Sequence, residues 1–97
     1  MDDFLKFLLG AIVVTAVAAV IILSWQTISN WFAVNKTSDV QYGKLIKESL
    51  SNGNFNLVGG VFNNAGELIN NTRWENASLD ADTLGKFGNS NTLIVTY

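Results

Sequence analysis

The sequence predicts a single N-terminal transmembrane α-helix followed by a small α+β head. Three observations predict it. Residues 7–25 contain no charged side chain, and none follows until Lys36. Only about 60 residues remain after this apolar run, enough for one small domain. Those residues alternate between helical and strand-like patterns broken by Gly and Asn turns.

The apolar run sets the first boundaries. A helix over 7–25 would be about 28 Å long, close to the hydrocarbon thickness of a bilayer. Residues 1–6 form a short tail with Asp2, Asp3 and Lys6. A secretory signal would need a basic leader and a small-residue cleavage site after the run, and neither is present, so the helix reads as a retained anchor. Ala11, Thr15 and Ala19 recur at i, i+4 and i+8, and Gly10 and Ala18 widen this stripe. Small residues at that spacing allow close helix packing, although alanine is also common in such helices. Trp25, Ile28, Trp31 and Phe32 continue one apolar side, so the expected helix covers 7–34. Trp25, Trp31 and Phe32 are then candidates for the membrane interface, with packing of Trp31 and Phe32 beneath the head as the rival reading. Residues 35–39 are the expected linker and 40–97 the head.

In the head, Ser38 and Gln41 fit a capping box. A helix over about 39–51 would bury Tyr42, Leu45, Ile46 and Leu50 and stop at Asn52-Gly53. A strand follows over 54–62, then a turn at Asn63-Asn64-Ala65-Gly66. A second strand runs from 67 to 75, with Asn70-Asn71 dividing it. Asp80 caps a short helix, Leu79 and Leu84 provide a hydrophobic staple, and Gly88 ends it. Residues 92–97 are apolar enough for the inside of a sheet.

Composition excludes much chemistry. The 97 residues contain no cysteine and no histidine, so disulfides, thiolate or imidazole ligands and the commonest general base are absent. A net charge of −2 without a basic run argues against nucleic-acid binding. Asp80 and Asp82 with Gly85 do not complete a calcium loop, because Leu84 and Asn91 occupy ligand positions. The eight carboxylates show no spacing with a base or nucleophile. No catalytic residue, cofactor, metal site or small-molecule substrate is therefore expected. Arg73 and Trp74 are candidate partner contacts by residue type; the plainer reading is a surface Arg beside a core Trp. Sequons stand at Asn35, Asn70 and Asn76, and chance explains them in so Asn-rich a chain.

The order Tyr42-Gly43-Lys44-Leu45-Ile46, Asn52-Gly53, 55–62, Asp82-Thr83-Leu84 and Leu93-Ile94-Val95 resembles the small extracytoplasmic domain of FtsH-type membrane proteases. The resemblance implies a small α+β domain used for contacts with membrane partners. The ATPase and zinc-protease parts of that family have no counterpart here.

The expected function is a non-enzymatic structural or accessory subunit of a membrane-embedded assembly, either a multisubunit complex or the membrane layer of a lipid-containing virion. Its expected partners are the lipid bilayer and other membrane subunits or copies of itself. A pilin-like filament subunit and a regulatory partner of a membrane protease are the alternatives. The expected location is single-pass in a membrane; the lysines lean toward a cytoplasmic head, but an external head fits equally.

Overall fold

The computed structural model describes residues 20–96. They form strands β1 (Ile21–Leu23), β2 (Tyr42–Ser49), β3 (Phe55–Phe62), β4 (Leu68–Leu79) and β5 (Thr92–Thr96), with helices α1 (Trp25–Val34) and α2 (Ala81–Phe87). The strands make one sheet in the order β1-β4-β3-β2-β5, curled into a half-barrel. Only β1 and β4 are parallel. A sheet-rich domain thus replaces the predicted membrane helix with an α+β head.

The continuous helix expected over 7–34 is not formed. Residues 7–19 lie outside the described residues, but Ile21–Leu23 is a strand and Ser24 starts a new helix. Ser24 has extended backbone angles (φ −101°, ψ 161°), and its hydroxyl accepts from the Thr27 N–H at 3.3 Å, satisfying a donor that the first turn would leave free. The resulting 10-residue helix is about 15 Å long. Among the described residues no helix is long and apolar enough to cross a membrane. The single-pass membrane location drawn from the expected helix is corrected accordingly. Three apolar residues of this stretch turn inward: Leu23, Ile28 and Phe32 are each no more than 1% exposed, whereas Ile22 and Val34 remain exposed.

The helix expected over about 39–51 is strand β2. Its apolar residues serve both faces of the sheet. Leu45 faces α1, within the main core of Leu23, Ile28, Phe32, Leu57, Val61, Ala77 and Phe87. Ile46 faces the other way, where it joins Val58 and Phe62, with Tyr42 and Leu68 against them. Tyr42 stacks on Phe62 at 5.1 Å between ring centroids, and Lys44 Nζ lies 5.9 Å above each ring.

The strand over 54–62 and the turn at 63–66 form where expected, as β3 and its hairpin to β4. Strand β4 is one element of 12 residues, not two. It absorbs Asn70-Asn71 and bears two irregularities in its pairing with β3, one at Ile69 and one opposite Asn56. Helix α2 has its N-cap at Asp80 and C-cap at Gly88 (φ 58°), as predicted, and Phe87 is on its buried side, but Thr83 is buried with it while Leu84 of the expected staple remains exposed. Strand β5 lies at the sheet edge beside β2, not inside it.

Candidate functional site

The two neighbours of β4 differ in length. Strand β3 pairs with it from Leu68 to Ala77. On its other side β1 pairs only with Ala77, Ser78 and Leu79. Among the described residues, the outer edge of β4 from 68 to 76 has no strand beside it.

Asparagines mark the point on β4 where the pairing with β1 begins. One residue of β3, Asn56, faces two of β4, Glu75 and Asn76. The surplus residue makes a bulge, and Asn76 takes the left-handed conformation there (φ 55°). Asn76 Oδ1 accepts from Asn52 Nδ2 at 2.9 Å and from Asn54 Nδ2 at 3.0 Å, while its N–H donates to Asn56 Oδ1 at 3.0 Å. Asn56 is fully buried, and its amide reaches Glu48 Oε1 at 3.4 Å. The bulge bends β4 immediately before its first contact with β1, at Ile21 and Ala77.

The direction of the backbone groups follows from the ladder. The Lys47 N–H bonds Asn91 O at 2.9 Å, which directs the odd-numbered residues of β2 toward β5. Alternation across the antiparallel pairs then directs Leu57, Gly59 and Val61 toward Trp74, Thr72 and Asn70. Asn71, Arg73 and Glu75 are left with their backbone groups facing the free edge. The Asn71 N–H accordingly bonds Asn70 Oδ1, at 2.9 Å. Asn70 Nδ2 in turn donates to Asn35 Oδ1 at 2.6 Å.

Both candidate contact residues belong to this edge. Arg73 is exposed and Trp74 half-buried. Trp74 lies on the α1 side, edge-on to Trp31 with centroids 6.4 Å apart, and Trp31 is edge-on to Phe32 at 5.0 Å. Trp25, Trp31 and Phe32, expected at a membrane interface, pack within the domain: Phe32 is core, and the two tryptophans rest against it. Lys86 Nζ also sits 5.0 Å over the Trp25 ring. The helix-packing stripe of Gly10, Ala11, Thr15, Ala18 and Ala19 lies outside the described residues. All three sequon asparagines have side chains engaged in hydrogen bonds within the domain.

Among the described residues, no three His, Cys, Asp or Glu side chains come together to hold a metal. Sequence reasoning named Arg73 and Trp74 as candidates without the edge that carries them. The continuity of a strand through Asn70-Asn71 was the missing signal, because β4 outruns β1 only when it is unbroken. No protein family, no curated protein and no solved structure matches this chain.

Proposed function

We propose that this protein is a non-enzymatic structural or accessory subunit of a larger assembly, and that it joins its partner by strand addition at the free edge of β4. The observation that carries this reading is the mismatch between a 12-residue β4 and a 3-residue β1. The stretch with no strand beside it among the described residues, about nine residues, is roughly 30 Å long. An edge of that length is open to a further strand unless charged side chains, proline, a bulge or a covering element guards it, and here the bulge at Asn76 lies at one end of the stretch. No lysine or proline stands between 68 and 76. Backbone bonds supply affinity in such pairing, and flanking side chains supply selectivity. Trp74 and Arg73 are of the residue types that dominate interface energetics.

A photocrosslinking residue placed at Arg73 of the full chain, in its native source, tests the proposal. Crosslinked adducts are expected from position 73 and not from Leu84 on α2. Glu75→Pro should abolish them without unfolding the domain, since it removes a donor on the free side and leaves the β3 ladder intact. Adducts from Leu84 alone, or adducts that survive Glu75→Pro, would overturn it.

A further inference from the structure

We infer that the free edge of β4 pairs with β4 of a second copy of this chain, antiparallel and two-fold about Trp74. The pairing rests on the reading of β4 as the partner-binding edge and names the partner. Arg73 and Glu75 flank Trp74 on the face opposite to it, and both direct their backbone groups to the free side. Among the described residues neither charge has an ion-pair partner. When two such strands run antiparallel with Trp74 facing Trp74, Arg73 of each copy stands opposite Glu75 of the other. One register therefore satisfies both charges twice over. Moving the axis by one residue, to Arg73, would set like charges face to face, which is unfavourable directly across strands.

The ladder agrees with that register. Arg73 and Glu75 form a hydrogen-bonded pair across the axis, each exchanging N–H and C=O with its opposite residue, and Trp74 takes the closer, non-hydrogen-bonded position. There the two Trp74 rings meet on the α1 side, beside both Trp31 rings, and extend the aromatic row that begins at Phe32. The bulge at Asn76 and the start of β1 at Ile21 limit the paired stretch to 72–76, so neither copy's β1 is displaced. Such a self-complementary patch closes into a dimer and does not propagate.

Disulfide trapping tests the register directly, because the chain has no cysteine of its own. Full-length Arg73→Cys and Glu75→Cys proteins are prepared separately, then mixed and oxidised with copper–phenanthroline. Directly opposite residues lie within disulfide reach, whereas diagonal ones are about 7–8 Å apart and are not. The mixture should give crosslinked dimer at least tenfold faster than either protein alone. Charge exchange supplies the second arm. Arg73→Glu and Glu75→Arg should each lose self-association, their mixture should form heterodimer, and the double variant should recover homodimer.

Equal trapping in the mixture and in the single variants, or self-association indifferent to charge reversal, would overturn the pairing. If position 73 still photocrosslinks to a different protein while no dimer is trapped, the self-pairing falls and the strand-addition reading stands. If neither appears, both fall, and Arg73 and Glu75 are guards of an edge that stays unpaired.

Discussion

The Phe32 ring occupies the space that a side chain at Gly43 would need. An ideal Cβ on Gly43 would come within 2.6 Å of Phe32 Cε1 and 2.7 Å of Cδ1. Glycine at this position in β2 is what lets α1 settle on the sheet. Gly43→Ala should therefore destabilise the domain by about 1–3 kcal/mol through overpacking. Phe32→Leu in the same chain should return part of that loss, so the two substitutions are non-additive in urea unfolding. Gly85→Ala is the contrast. Nothing lies within 4 Å of a Cβ there, and the residue is inside α2, so about 0.5–1 kcal/mol of stabilisation is expected.

The same contact explains which parts of the fold the sequence could reveal. Strand β3, its turn and the caps of α2 follow local rules, and they lie where residue types place them. Strand β2 does not follow such rules. Tyr42, Leu45 and Ile46 fit a helical stripe by spacing, but they divide between two buried clusters on opposite faces of the sheet. With both faces buried, the alternation that marks a strand disappears. Apolar residues around Leu23 and Phe32 suit a bilayer or a protein core equally, and Ser24 is a short signal within a long apolar pattern. The candidate site was legible only as residue types at Arg73 and Trp74. Its free edge depends on the length of β1 relative to β4, a tertiary property.

Asn76 combines a left-handed backbone with two accepted amide bonds, and these contributions can be separated. Asn76→Ala should lose both. Asn76→Gly should lose the bonds from Asn52 and Asn54 while adopting φ 55° freely. Glycine is expected to be the milder substitution by about 1–2 kcal/mol, read from urea midpoints. Equal losses would show that the hydrogen bonds alone hold the bulge.

Asp80 makes stability depend on acid. The hydroxyl and the backbone N–H of Thr83 beside it hold its carboxyl below the ordinary value. Of the two, only the N–H makes a well-formed bond, at 2.9 Å; the buried hydroxyl has no hydrogen-bond partner among the described residues. The folded state therefore favours the ionised cap. Its contribution is fully present above the unfolded carboxyl's pKa of about 3.9 and is lost as pH falls through the lower folded value. Asp80→Asn keeps a good N-cap. It should leave the melting temperature near neutral pH almost unchanged and flatten its decline in acid. An undiminished acid decline in this variant would assign the dependence to other carboxyls.

Adjacent residues of β1 distinguish the strand from a lipid-facing helix. Leu23 is 1% exposed, whereas Ile22 is 82% exposed. In a strand they point to opposite faces, and only Leu23 reaches the core with Ile28 and Phe32. Leu23→Ala should cost about 2–5 kcal/mol, the range for a buried leucine. Ile22→Ala should change stability by no more than about 0.5 kcal/mol, as exposed positions do. Chemical denaturation of the full chain measures both. A helix crossing lipid through this stretch would give two similar and small effects, because each side chain would face hydrocarbon before and after substitution. A large difference between neighbours requires the alternation of a strand and the packing of Leu23 beneath α1.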